Sequence, residues 1–211
     1  MSEIQRDSMS GVNLELETDR LLLRPLAQGD CDLVLEMFTD PEVMKFVAAV
    51  SSEEALAALM KVAIRRGARG RVGVWCVLQR ETGEKLGTAI LLPLPIEEND
   101  TDWSLLQEDQ YPNADIEVGY ILKRSAWGNG YATEACRRLV QFVFEETELD
   151  EIVAVTDPRN AASQEVLRKC GFRGEGLRRA YAEECSAFRI SRQQWLEFQM
   201  TYLHQPAQVE S

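Results

Sequence analysis

With 211 residues, 45% of them hydrophobic, the chain has enough apolar material for one domain with one substantial core. A net charge of −12 excludes the basic surface that binds nucleic acid, and no run approaches the ~18 consecutive apolar residues of a membrane span. The five cysteines lack metal-ligand spacing and the single histidine, His204, sits in the last residues, so neither a metal centre nor a histidine-based triad is expected.

Residues 1–14 read as a lead-in with no apolar core for a signal peptide. With reduced thiols in prospect, the expected setting is the cytoplasm. Leu21 to Leu26 forms a first strand, ended by Pro25. A helix follows over about 30–39, and Asp40-Pro41 restarts it, with aspartate at the cap and proline at the first helical position. Ser51 and Glu54 make a capping-box pattern that opens a helix to about Arg66, with Gly67 as its stop. Val72–Gln79 and Leu86–Leu92 form a hairpin about Glu81-Thr82-Gly83-Glu84.

Residues 93–114 are an insertion. Between Lys85 and Lys123 there is no Lys, Arg or His but eight carboxylates: Glu97, Glu98, Asp100, Asp102, Glu108, Asp109, Asp115 and Glu117. Such a segment is either a solvated loop or a flap over a binding site. Trp103, Leu105 and Leu106 give it an apolar part that should dock. Ile116, Val118, Tyr120 and Leu122 then alternate as a strand. From Ala132 the apolar spacing changes to helical, through Ala135, Cys136, Leu139, Val140 and Val143. Gly128 and Gly130 lie in the turn between them. A glycine-bearing loop that opens a helix presents backbone N–H groups and the positive end of the helix dipole, a place to hold phosphate. No third glycine completes a dinucleotide fingerprint, because position 133 is threonine, and no Gly-Lys-Ser/Thr makes a P-loop. Glu151–Thr156 is a continuous apolar strand, as in a sheet covered on both faces. A turn through Asn160 leads to a helix over 161–170, closed by Gly171 with Phe172 behind it. Two strands, about 173–177 and 185–190, precede a last helix opened by Ser191 and Gln194 and carrying Trp195, Phe198 and Tyr202. The tail is 204–211.

Trp127-Gly128-Asn129-Gly130-Tyr131-Ala132-Thr133-Glu134-Ala135 resembles the acetyl-coenzyme A loop of the GNAT N-acetyltransferases, in particular the RimJ/RimL-type ribosomal-protein N-terminal acetyltransferases. Ser125 stands where that loop usually begins with Gln or Arg. Glu17-Thr18-Asp19-Arg20-Leu21-Leu22-Leu23-Arg24 looks like the opening of such chains, and Asn160-Ala161-Ala162-Ser163 … Cys170-Gly171-Phe172 is similar to their second motif. The resemblance spans about 15–203. It implies an α/β GNAT fold, with a mixed, twisted sheet of about six to seven strands, helices on both faces and the two central strands splayed for coenzyme A. It implies acetyl-CoA as cosubstrate. The pyrophosphate would lie on the loop of Trp127, Gly128, Asn129, Gly130, Tyr131 and Ala132, and the pantetheine arm along Ile121, Leu122 and Asn160. Arg124, Arg168 and Lys169 are candidates for the 3′-phosphate. Trp127 should pack under the loop.

The acceptor implied is a primary amine, and the likeness to the RimJ/RimL type makes it the α-amine of a protein N-terminus. The alternatives are a small-molecule amine (amino acid, polyamine, aminoglycoside) or a non-catalytic acyl-CoA-binding module. The protein is expected as a monomer or homodimer. Amide formation needs a base for the amine and an acid for the leaving thiolate. Glu117 is the first candidate base, with Asp115, Glu183 and Glu184 as alternatives. The family's usual tyrosine acid falls on Leu167, so Ser163 is the candidate acid and Tyr181 the alternative.

Overall fold

The computed structural model describes residues 12–48 and 52–203. Ser51, His204 and most of the lead-in therefore lie outside the described residues. The strands are β1 (Leu16–Glu17), β2 (Leu21–Pro25), β3 (Gly73–Gln79), β4 (Lys85–Pro93), β5 (Ile116–Leu122), β6 (Glu151–Thr156), β7 (Arg173–Ala180) and β8 (Glu183–Ser191). The helices are α1 (Cys31–Thr39), α2 (Pro41–Met44), α3 (Glu53–Ala63), α4 (Tyr131–Glu146), α5 (Ala161–Lys169) and α6 (Arg192–Leu203). All eight strands join one sheet, ordered β1-β2-β3-β4-β5-β6-β8-β7, where six or seven were expected. The additional strand, β1, has only two residues, too few for an alternating pattern to register.

Helices cover both faces. On one, Trp75 of β3 meets Phe142 of α4 edge-on at 5.7 Å, and the predicted stripe Ala135, Cys136, Leu139, Val140 and Val143 is buried. On the other, the neighbouring Cys76 faces the Arg24–Asp30 pair that precedes α1. The local signals hold where they depend on nearby atoms. Asp40 caps α2 by accepting from the Glu42 N–H, and Ser191 and Gln194 cap each other across the start of α6. Two expectations at α3 are corrected. Its observed cap is Ser52, whose hydroxyl accepts from the Ala55 N–H. The helix ends at Ala63 rather than near Arg66, because Arg66 turns inward: Nε donates to the Gly70 carbonyl at 2.8 Å, Nη1 to that of Val74 at 2.7 Å, and the guanidinium lies 4.0 Å from the Trp75 ring centroid.

The insertion docks. The Leu94 N–H extends the ladder to the Asp115 carbonyl, the Ala68 N–H binds the Gln107 carbonyl, and Leu106 is buried while Trp103 packs on the core. Its charge is partly matched from elsewhere, where Arg179 meets Glu97 and Arg69 meets Asp109, and just past it Arg178 meets Asp115.

The topology that matters most lies at the centre. β4 and β5 pair antiparallel over seven residues. β5 and β6 are parallel and share a single register, Glu117 with Val153. Past it β6 continues to Thr156 paired only with β8, and β5 continues to Leu122 paired only with β4. The two strands part, as the resemblance implies.

Gly87 permits β4 to lie against β5 where the gap opens. A Cβ there would sit 2.2 Å from the Ile121 carbonyl oxygen and 2.7 Å from the Leu122 Cα. Since backbone must move to admit it, Gly87→Ala should cost about 2–3 kcal/mol of stability in urea unfolding, the upper part of the usual overpacking range.

Candidate active site

The loop between β5 and α4 is built to leave its donors free. A 3-10 turn over Arg124–Ala126 is followed by Gly128 and Gly130, both with φ of 76°, a conformation that glycine adopts without strain. The first bond of α4 runs from the Glu134 N–H to the Gly130 carbonyl. Among the described residues, the N–H groups of Gly128 through Thr133 have no partner. A Cβ at Gly128 would meet open space. A row of unpaired donors at a helix start, open to approach, suits an anion.

Two interactions fix this row. The Asn129 carboxamide donates to the Ala126 and Trp127 carbonyls. From the turn between β1 and β2, Arg20 donates through Nη1 to the Asn129 carbonyl at 3.0 Å and through Nε to Glu134 at 2.7 Å, and stacks over the Tyr131 ring. Glu134 also accepts from the Thr18 hydroxyl at 2.6 Å. Sequence reasoning noted Thr18 and Arg20 only as part of a familiar opening and assigned them no task. Trp127 does not lie under the loop as expected: its indole N–H binds the Leu122 carbonyl, and the residue is 46% exposed. The three candidate phosphate cations are solvated, Arg124 near Asp40 and Arg168 and Lys169 near Glu165.

Two hydroxyl-bearing pairs flank the gap, on opposite faces of β5. On the α4 face, the Tyr120 hydroxyl lies 3.0 Å from the Ser163 carbonyl oxygen and 3.1 Å from its Oγ. The Ser163 N–H donates to Asn160 Oδ1, so Asn160 is the cap of α5. Leu167 is buried. Nothing in the sequence pattern marked Tyr120 beyond its place on the strand. On the other face, Tyr181 donates to Glu117 Oε2 at 2.6 Å, and Glu117 is only 5% exposed. The other carboxylates considered are placed differently: Asp115 is engaged by Arg178 at 2.9 Å, and Glu183 and Glu184 are exposed.

Residues 20–173 match the family model described as an acetyltransferase (GNAT) domain. The chain belongs to the GNAT acetyltransferase family. Its relatives include the uncharacterized N-acetyltransferase p20 of Bacillus licheniformis, 28% identical over 79% of this chain and 86% of that protein. The uncharacterized N-acetyltransferase YoaA of Bacillus subtilis is 30% identical over 79% of this chain and 86% of its own length. Among solved structures, spermidine N-acetyltransferase from Vibrio cholerae, in complex with CoA and spermine, superposes with a TM-score of 0.64 at 18% identity, covering 85% of this chain and 99% of that one.

In this acetyltransferase Glu117 is the ionisable group most altered by its surroundings in a way that suits proton transfer. Burial pushes its carboxyl up from 4.5 to about 7, against the opposing pull of the Tyr181 hydroxyl, the Val155 backbone N–H and the charge of Arg178. The partner Tyr181 packs, with Val155, against a small buried apolar cluster of Leu94, Val153, Ala180 and Cys185. Burial also pushes the Tyr120 and Tyr181 phenols well above their ordinary value, so both remain protonated donors at neutral pH.

A carboxyl raised in the folded state binds its proton more tightly there than in the unfolded chain. Its contribution to stability is therefore full below about 4.5 and is lost as pH rises through about 7. Glu117→Gln removes that titration. The variant's melting temperature relative to the native protein should thus rise between about pH 5 and about pH 8, as followed by circular dichroism.

Proposed function

We propose that this GNAT enzyme transfers an acetyl group from acetyl-CoA to a primary amine, and that the amine is the α-amine of a protein N-terminus. The observation that carries the donor half is the adjacency, at the end of one strand, of the unpaired N–H row over 128–133 and the gap between β5 and β6. The residues fit the donor. The N–H row would hold the pyrophosphate, and the stretch of β5 at Ile121 and Leu122, parted from β6 but with its Leu122 carbonyl already bound by Trp127, would take the pantetheine arm. Asn160, whose oxygen is used by the cap, would offer its Nδ2 hydrogens. Arg124, Arg168 and Lys169 remain the cations available for the 3′-phosphate. Bound acetyl-CoA supplies the thioester; the chain supplies proton management. In this reading Glu117 accepts the proton that the amine loses, and Ser163, coupled to the Tyr120 hydroxyl, returns one to the departing thiolate.

The N-terminal α-amine is supported by the RimJ/RimL-like opening and the second motif. One observation favours a second reading, a small polycationic amine. Asp100 acts on Tyr181, and Glu183, Asp157 and Glu117 act on Cys185, so four carboxylates lie within electrostatic reach of the β7–β8 hairpin. Such a field raises the local concentration of cations. The deciding experiment presents N-terminal peptides, ribosomal proteins, amino acids, polyamines and aminoglycosides with acetyl-CoA and reads free thiol. Release with peptides and proteins supports the first reading, and release with polyamines alone the second. If acetyl-CoA binds and no amine releases thiol, the chain is a binding module.

Two variants test the machinery. A side chain at Gly130 would both strain a backbone at φ 76° and intrude on the N–H row, so Gly130→Glu should abolish acetyl-CoA binding in calorimetry. Ser163→Ala should leave that binding nearly unchanged and lower the single-turnover rate by about 10²-fold, the low end for a general acid–base group. An unaltered rate would remove Ser163 from the mechanism.

A further inference from the structure

Glu117 is buried, and the hydroxyl that donates to it belongs to a phenol at the tip of a hairpin. The carboxylate is 5% exposed, while Tyr181, which donates to it at 2.6 Å, is only partly buried. The phenol is also held from behind. Tyr181 and Ala182 form the tip of the β7–β8 hairpin with φ of 53° and 57°, a left-handed conformation that non-glycine residues rarely keep. They keep it because the insertion grips them: the Tyr181 N–H donates to the Pro95 carbonyl at 3.1 Å and the Ala182 N–H to that of Ile96 at 3.0 Å. The buried Thr101, from the same insertion, places its hydroxyl beside the phenol oxygen. A strained tip and a docked insertion thus hold one phenol against one carboxylate. Strain that the surroundings enforce in this way is a pointer to function.

We propose that Tyr181 is the group through which the acceptor amine's proton reaches Glu117. This rests on the reading of Glu117 as the base. As the amine nitrogen attacks the thioester carbonyl it gains positive charge and one of its N–H bonds breaks. That proton goes to Tyr181 Oη while the Tyr181 O–H bond breaks toward Glu117 Oε2, where a new O–H bond forms. The phenol ends unchanged and Glu117 ends neutral, so atoms and charge balance without a further reactant. Thr101, whose hydroxyl acts on the phenol, is a positioning residue: donating to the phenol oxygen, it would keep the phenol's own hydrogen directed at Glu117. The other ionisable groups facing the pair are Arg178 on β7, Asp100 of the insertion, and Cys185 and Glu183 on β8. This assigns Tyr181 to the base side of the reaction, leaving the thiolate to the Tyr120–Ser163 pair on the opposite face of β5.

The test uses single-turnover rates with an amine that the panel shows to be accepted. Tyr181→Phe keeps the ring and removes the relay. The rate should fall by about 10²-fold or more with acetyl-CoA affinity unchanged, and the pH limb should move upward, because Glu117 loses a donor that favours its ionised form. Rates in mixtures of light and heavy water separate relay from support. The native enzyme should show a curved dependence on deuterium content, two protons moving together, where a tyrosine that only positions Glu117 gives a straight line. Replacing Tyr181 with a fluorinated tyrosine, more acidic and almost the same size, should change the rate if the phenol's proton is in flight and leave it alone otherwise; this variant decides the matter if Tyr181→Phe does not fold. A linear dependence in the native enzyme, or full activity in Tyr181→Phe, overturns the relay. If Glu117→Gln is itself fully active, the base reading fails instead, which separates the two.

Discussion

The constraint on which this structure depends is the single parallel bridge between β5 and β6. Up to Glu117 and Val153 the sheet is continuous; past that point the two strands keep their outer partners and lose each other. A parallel pair that parts in this way leaves backbone donors and acceptors unmatched inside a domain, which is costly unless something else meets them. Glu117 stands at the parting, with its carboxylate under the influence of the Val155 N–H across the gap. A charge in that place is tolerable only because Tyr181 donates to it and Arg178 lies near. The same burial that makes the group expensive to ionise brings it into the range where it can exchange protons near neutral pH. The Thr156 hydroxyl, at the far end of β6, is buried without a hydrogen-bond partner among the described residues, another polar atom at the rim of the gap.

The loop at the end of β5 depends on a residue more than a hundred positions away. Arg20 and Glu134 form an ion pair of which Arg20 is half exposed, and such pairs contribute about 0–1 kcal/mol to stability. Its meaning is geometric. By engaging the Asn129 carbonyl and the first turn of α4 together, the guanidinium keeps the 128–133 N–H groups pointed one way, while Glu134 neutralises the charge that would otherwise compete for an anion. The short N-terminal hairpin is thereby part of the site rather than an ornament of the sheet.

What the sequence disclosed and what it concealed divide along chain distance. The caps at Asp40, Asn160 and Ser191 obey rules that operate within three residues, and each stands where those rules put it. So does the glycine loop, whose donors are freed by the helix start itself. At α3 the capping-box pattern pointed to Ser51, and the hydroxyl that caps the helix is that of Ser52, one residue on. The partners of the reactive groups were out of reach for another reason. Tyr120 and Ser163 are 43 positions apart, Glu117 and Tyr181 64, and Arg20 and Glu134 114. Each meeting is set by how strands pack, and no alternation of apolar residues encodes it. The insertion misleads most. Read along the chain it is a block of uncompensated acid, yet Arg69 and Arg179 approach it from other elements, and Arg178 meets Asp115 just past it.

The parting of β5 and β6 has a consequence for how the molecule avoids its own kind. A row of unmatched strand groups is a template on which another chain can build, and proteins guard such edges. This sheet has an inner one as well as two outer ones. The outer edge at β1 is guarded by brevity, being two residues long. The outer edge at β7 is guarded by charge: Arg173, Glu175, Arg178 and Arg179 stud a strand of eight. The inner edge has neither, since past Glu117 and Val153 both strands run on without a charged residue. It is guarded by cover, with α4 and α5 on one face and the hairpin tip with its clasping insertion on the other. Where the outer edges are blunted within the strand itself, the inner one is shielded by its neighbouring elements.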